Sequence, residues 1–402
     1  MQITKDSGSL WPLYLAVFVA VLGFTLVVPF FPSYVMDLGA SYTLLGFIIS
    51  IYGASQLLVQ VPIGRLSDRM GRKRLMLIGL MTFAVLPPLY IYAGNAYTLL
   101  FIRALGGVGA AFVWPTAMAL IIDQSRAHSR GAAMGFYNAA FYSALALGPF
   151  MGGALYDQMG LEAPFYFWTL LGIASIIIVT FKVPESRGIV LKADEQPQRR
   201  EEPLIAPGYA ITFLACCAVI LWSGVVGGFN ITLLPSYAKA LGFSTTDIGL
   251  IYLVYGGITA ISNIYFGRLA DRGRRKWLIF LGSLAGLISF ALLFIVSNLI
   301  QVLILFAGLG LGLGICSPAA AALVADTTNA SRRGETYGIF NTARMSGVVV
   351  GPIMAGLAAD MQGIDGALYA FTLIALAITL GAVAIREAKE DSVNSREDAD
   401  RL

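Results

Sequence analysis

The sequence predicts an all-α membrane protein with twelve transmembrane helices in two pseudo-symmetric halves of six. Three observations predict it. The 402 residues are 57% hydrophobic and only 12% charged, whereas a soluble domain is about 45–50% apolar and about 25% charged. That much apolar surface needs lipid as its solvent. Twelve apolar segments can be drawn, each near the ~20 residues that carry a helix across a bilayer. Finally, a cationic stretch, Gly64-Arg65-Leu66-Ser67-Asp68-Arg69-Met70-Gly71-Arg72-Lys73-Arg74, returns 203 residues later as Gly267-Arg268-Leu269-Ala270-Asp271-Arg272-Gly273-Arg274-Arg275-Lys276-Trp277.

The first span, 11–36, is too long for the core of a cleavable signal and reads as a retained helix. Spans follow at 42–63, 75–94, 97–122, 131–156 and 164–183, so 1–183 forms an N-terminal six-helix bundle. Residues 184–206 are polar, charged and proline-containing, and read as a linker. Spans at 207–237, 245–266, 278–297, 300–325, 334–358 and 364–385 make the C-terminal bundle, 207–385, and 386–402 form a charged tail. An even number of spans puts both termini on one side. That side, with the linker, the two cationic stretches and the 124–130 and 327–333 loops, collects 24 of the 27 basic residues; the opposite side has Lys239 alone. The excess of Lys and Arg places termini and linker in the cytoplasm.

The repeat reaches beyond the loop. At the same offset Pro32-Ser33-Tyr34 matches Pro235-Ser236-Tyr237, Tyr52-Gly53 matches Tyr255-Gly256, and Asp123 matches Asp326. Arg130-Gly131, Asn138 and Gly148-Pro149 match Arg333-Gly334, Asn341 and Gly351-Pro352. Six spans return the chain to its starting side, so the halves are parallel repeats about an axis normal to the membrane. Such repeats build transporters with a site near the midplane.

Several residues stand out by their chemistry. Asp68 sits among Arg65, Arg69 and Arg72, with Gly64 and Gly71 allowing a tight turn. A carboxylate among cations at the membrane face forms breakable ion pairs, and a nearby helix N-terminus would add its dipole. Contacts made in one conformation and broken in another act as a latch; the plainer alternative is a positive-inside anchor. Arg103 and Arg344 are charges inside spans, which cost roughly 2.5–3.5 kcal/mol on insertion scales and therefore face the bundle interior. The alternative for Arg103 is a structural ion pair or a carbonyl cap. Arg344 lies three residues after Asn341, on the same helix face. Polar and aromatic residues inside spans are cavity candidates: Asn138, Phe141 and Tyr142 on one face of the fifth span, the repeat mates Gln60 and Asn263, Asn230 and Trp114. A cavity rich in aromatics and poor in fixed charge suits amphipathic organic substrates, and each of these residues also has an ordinary packing role open to it. Gly148 and Gly152 lie four apart and let a neighbouring backbone approach, while Pro149 bends the helix.

Gly64-x-Leu66-Ser67-Asp68-Arg69-x-Gly71-Arg72-Lys73 resembles the loop signature of the major facilitator superfamily. The second copy departs from it, with Gly273 one place early and Arg274 where the glycine would stand. Leu22-Gly23 with Pro29 and Pro32 resembles the first-helix motif of twelve-span drug/proton antiporters in that family. Leu99-x-x-x-Arg103-x-x-Gly106-Gly107-x-Gly109 looks like their fourth-helix motif, with Gly106 replacing the usual glutamine. Gly148-Pro149 and Gly152-Gly153, echoed by Gly351-Pro352, resemble their fifth-helix motif. The resemblance implies a latch of Gly64, Asp68, Arg69, Gly71, Arg72 and Asp123, repeated around Asp271, and a part for Arg103 in proton coupling.

The implied function is secondary active transport: proton-coupled export of small amphipathic compounds by alternating access, in the cell membrane. An uncoupled facilitator, a lipid-type translocator and a non-transporting sensor are the alternatives. No acidic residue sits mid-span, so coupling would use Asp37, Asp68 or Asp123 through movement or water access. Cys216, Cys217 and Cys316 have no metal-pair spacing, and His128 is the sole histidine. The chain has no nucleophile–base set and no phosphate loop, so neither an enzyme nor a cofactor is expected. Expected partners are a small-molecule substrate, protons and lipid, with no nucleic acid, and a monomer suffices.

Overall fold

The computed structural model of the chain describes residues 10–125, 130–185, 203–329 and 332–387, without the side chains of Asp68 and Arg69. Among the described residues the structure is helical, with one isolated bridge between Ile205 and Thr328. Ten helices are long and apolar enough to cross a membrane. Two breaks separate that number from the twelve segments of the sequence.

The first break is in the opening span. α1 (Trp11–Thr25) gives way to a turn and then α2 (Phe31–Asp37), because Pro29 and Pro32 each lack the N–H that a continuous helix needs. The same bend recurs where α8 (Ala210–Thr232) passes into α9 (Leu234–Ala240), with Pro235 at its start. The second concerns α13 (Arg333–Val383), which is interrupted at Gly363, whose φ of 74° and ψ of 179° are not helical. Its repeat mate Gly160, with φ of 85°, separates α6 (Arg130–Met159) from α7 (Glu162–Lys182).

The cationic stretch is less of a loop than its composition implies. α3 runs from Tyr42 to Met70, α4 begins at Arg72 and ends at Ile91, and Gly71 alone turns between them with φ of 98°. Gly64 is a helical residue of α3, not the far side of a tight turn. In the second half α10 (Thr245–Ala270) is followed by Gly273 at φ of 93° and Arg274 at φ of 59° before α11 (Arg275–Leu292). Displacing the glycine by one place forces an arginine into the left-handed region. α5 (Ala96–Gln124) and α12 (Leu299–Asp326) complete the set.

Helices α1–α7 pack among themselves, and so do α8–α13. Matched contacts show the common plan. The Tyr34 hydroxyl donates to the Tyr90 carbonyl at 2.6 Å, and its mate Tyr237 to the Leu293 carbonyl at 2.7 Å. The halves meet along two seams, α3 against α13 and α6 against α10.

Candidate functional site

Both seams are tight at the face opposite the basic stretches, here the far face. A methyl added at Gly46 would collide with the Pro352 carbonyl, and one at Gly356 with the Tyr42 carbonyl. Across the other seam Gly249 meets the Pro149 carbonyl, and Gly153 the Thr245 carbonyl. Ser50 donates to the Val349 carbonyl at 2.5 Å. The fifth-helix glycines thus divide their labour. Gly148 and Gly152 press on Thr25 and on the Leu26 carbonyl of the first span, whereas Pro149 and Gly153 form the seam. In the second half Gly351 presses on Val225 and Pro352 faces Gly46.

Toward the basic face the same helices lose their partners. Gly64, Gly131, Gly135, Gly334 and Gly338 have no atom within 4 Å of where a Cβ would stand. Between 130 and 143, α6 buries only Ala133 and Tyr137 among the described residues; between 333 and 346, α13 buries only their mates Thr336 and Phe340. The halves are therefore joined at the far face and splayed at the basic face.

The cavity candidates fall on these splayed segments in part. Asn138 and Tyr142 are exposed on α6 and Asn341 on α13, with Phe141 and Arg344 half-buried. Arg344 donates through Nη2 to Asn341 Oδ1 at 3.2 Å, which confirms their common face. Phe141 meets Trp114 edge-on at 5.6 Å and Tyr142 at 5.6 Å, extending an aromatic wall from α5 to α6. Gln60 and Asn263 are half-buried on α3 and α10. Asn230 lies within the C-terminal half, 2% exposed.

At the basic face Arg72 Nη1 pairs with Asp123 at 2.8 Å and donates to the Ala119 carbonyl at 2.7 Å, tying α4 to the end of α5. The mates Arg275 and Asp326 form the same pair, and Arg275 also reaches the Ala322 carbonyl. Asp271 is exposed at the end of α10 and, among the described residues, enters no ion pair. The Asp68 and Arg69 side chains lie outside the described residues. Two further carboxylates cap helices here: the Lys73 N–H donates to Glu185 and the Lys276 N–H to Glu387, each at 3.0 Å.

Arg103 is buried inside the N-terminal half, 6% exposed. Its guanidinium carbon stands 3.9 Å over the Phe31 ring, 5.6 Å from Tyr90 and 5.9 Å from Phe24. The ring faces stabilise the cation at this buried position, while its Nε finds no hydrogen-bond partner among the described residues. The charge meets rings and no carboxylate among the described residues. Asp123 lies on the same helix about 30 Å away at 1.5 Å per residue, and Asp37 is exposed at the end of α2.

The family model of the Major Facilitator Superfamily matches residues 13–229 and again 211–401. The chain belongs to the major facilitator superfamily. It is a multi-pass membrane transporter, not an enzyme. The chain is similar to an uncharacterized MFS-type transporter, MJ1560, of Methanocaldococcus jannaschii, 26% identical over 388 residues that cover 94% of this chain and 98% of that one. Multidrug resistance protein 2 of Bacillus subtilis is 25% identical over 351 residues, covering 86% and 87%. Quinolone resistance protein NorA of Staphylococcus aureus is 26% identical over 377 residues, covering 93% and 94%. Among solved structures, a bacterial homologue of the human lysosomal transporter Spinster, in an inward-facing and occupied conformation, superposes with a TM-score of 0.78 at 15% identity, covering 94% and 96%. The nucleoside transporter NupG gives 0.74 at 13% identity, covering 94% and 99%. At these identities the structural matches establish the fold.

Two groups of functional candidates escape a reading of motifs. The Arg275–Asp326 pair follows from the 203-residue offset once Arg72–Asp123 is known. The carboxylates Asp157 and Asp360 are also mates at that offset, and both sit on the seams.

Proposed function

We propose that this transporter is a proton-coupled exporter of small amphipathic organic compounds, working by alternating access, with its termini on the cytoplasmic side of the cell membrane. The observation that carries the reading is the arrangement of the seams, tight at the far face and splayed at the basic face, with Asn138, Phe141, Tyr142, Asn341 and Arg344 on the splayed segments. Two relatives bear drug-resistance names, which supports amphipathic drugs as the substrate class. The basic face carries the Lys and Arg excess and is cytoplasmic on that account. Arg72–Asp123 and Arg275–Asp326 each brace one half at the basic face and, with Asp68, Arg69 and Asp271 nearby in sequence, supply the parts of a cytoplasmic latch that closes when the halves meet there. Arg103 serves proton coupling, with Asp37 or Asp123 reached through movement or water.

One observation favours a second reading, an uncoupled facilitator: among the described residues Arg103 faces no carboxylate. The test uses purified protein in sealed vesicles with an imposed pH gradient and a pH-reporting dye. Lipophilic cations, neutral drugs, sugars and anionic metabolites are added in turn. The exporter collapses the gradient when a lipophilic cation or drug is added, and protein-free vesicles do not. Passage of labelled substrate without collapse would replace this reading with the facilitator.

A further inference from the structure

Four backbone N–H groups at the start of any α-helix lack an intrahelical partner. At α3 the helix's own cap, Ser41, takes one of them: Leu44 donates to its Oγ at 3.2 Å. At α10 Ser244 does the same for Asp247, at 3.1 Å. The preceding N–H groups are satisfied from the other half of the molecule. The Tyr42 and Thr43 N–H groups donate to the two carboxylate oxygens of Asp360, at 2.9 and 2.8 Å. The Thr246 N–H and its hydroxyl both donate to Asp157 Oδ2, at 2.7 Å each.

Asp157 ends α6 in the N-terminal half and caps a helix of the C-terminal half; Asp360 ends the first arm of α13 and caps a helix of the N-terminal half. They are repeat mates, as are Thr43 and Thr246. An ionised carboxylate at a helix N-terminus gains both the charge-assisted hydrogen bonds and the positive end of the dipole. Both side chains are exposed, so water can replace the lost partners when the seam parts. A contact that is specific, strong when made and cheap to break is suited to a gate.

We propose that Asp157 and Asp360 form a two-fold outer latch that holds the far face closed by bridging the halves, whereas the ion pairs at the basic face each lie within one half. This rests on the alternating-access reading. Removing the latch shifts the resting population toward the state that is open at the far face.

The experiment places a single reporter cysteine in the protein in lipid nanodiscs and follows its labelling by a bulky polar maleimide. Ser50→Cys reports the outer seam, where Ser50 is buried. Gly135→Cys reports the splayed inner part of α6. Native Cys216, Cys217 and Cys316 are buried and give the background. Loss of one helix cap corresponds to about a fivefold change in population, so D157A or D360A speeds labelling at position 50 about fivefold and the double variant about 25-fold. Labelling at position 135 slows in the same variants. The double Asp→Asn variant keeps acceptor oxygens without charge, and labels position 50 at a rate between parent and double alanine variant. Unchanged labelling at position 50 in the double alanine variant overturns the latch. Equal acceleration at both positions, with a lowered melting temperature, also overturns it, because that is the mark of a loosened fold. Labelling needs no substrate, so failure of the latch is distinct from failure of the export assay.

Discussion

At the scale of single residues, Arg103 is, among the described residues, the charge most deeply set in the N-terminal half. Three aromatic rings surround Arg103, an arrangement that stabilises a buried cation without neutralising it. Arg103→Ala is expected to cut substrate-driven proton flux in vesicles by about tenfold or more, equivalent to ~1.4 kcal/mol, while the protein still purifies as a monodisperse species. Arg103→Lys keeps a charge but not the flat guanidinium that stacks on Phe31, and falls between the two. The pair at the basic face makes a separate prediction. Arg72 and Asp123 are partly shielded, with 14% and 24% of their side-chain surfaces exposed. Arg72→Ala and Asp123→Ala are each expected to slow transport. The double variant is no worse than the more damaging single one, a non-additivity that initial uptake rates would reveal. Additive losses would mean that the two side chains act apart. The sequence made Arg103 and Arg72 visible because charge inside or beside an apolar span is rare. It hid the rings around Arg103, since they come from α1, α2 and α4 and meet only through the packing of those helices.

At the scale of elements, glycines set how closely helices approach and where they end. Gly152 faces the first span and Gly153 faces α10, one residue apart on α6. Overpacking costs typically about 1–3 kcal/mol, but the two sites spend it differently. Gly152→Val is expected to lower the apparent melting temperature, because Leu26 belongs to the same half. Gly153→Val is expected to leave melting nearly unchanged and to increase labelling of Ser50→Cys, because it wedges the seam between halves. Reversed results would show that the division between α6 faces is wrong. The turn after α10 offers a gain: Arg274, at φ of 59°, stands where the first half has Gly71. Arg274→Gly removes roughly 1 kcal/mol of left-handed strain and raises the melting temperature by a few degrees, measured by scanning fluorimetry in detergent. Spans and repeat were legible because hydropathy is a local property of sequence. Helix ends were less so: α3 runs seven residues past the apolar segment, since arginines at the membrane face remain good helix formers. Cross-seam caps were not legible at all, for Asp157 and Thr246 are 89 residues apart and Tyr42 and Asp360 are 318 apart. Only a register of mates at constant offset could have drawn them out.

At the scale of the molecule, two six-helix halves share antiparallel seams, and the register of those seams foretells the contacts of the opposite state. Gly53 meets Val349 and Gly256 meets Ala146 at the inner limit of the closed part. Extending those last contacts by eleven residues along both helices of each seam would set Gly64 against Gly338 and Gly267 against Gly135. Glycine facing glycine permits close backbone approach, although both pairs stand apart here. These are the contacts that form if the halves rock closed at the basic face. The most direct test of that central claim is a disulfide between cysteines at Gly64→Cys and Gly338→Cys. A bridge needs Cα atoms within about 7 Å, so it reports closure and nothing less. Rocking predicts that the bridge forms during turnover with substrate and a pH gradient, stops transport, and releases it again on reduction. Full transport with the bridge in place, or no bridge under any turnover condition, would contradict the account.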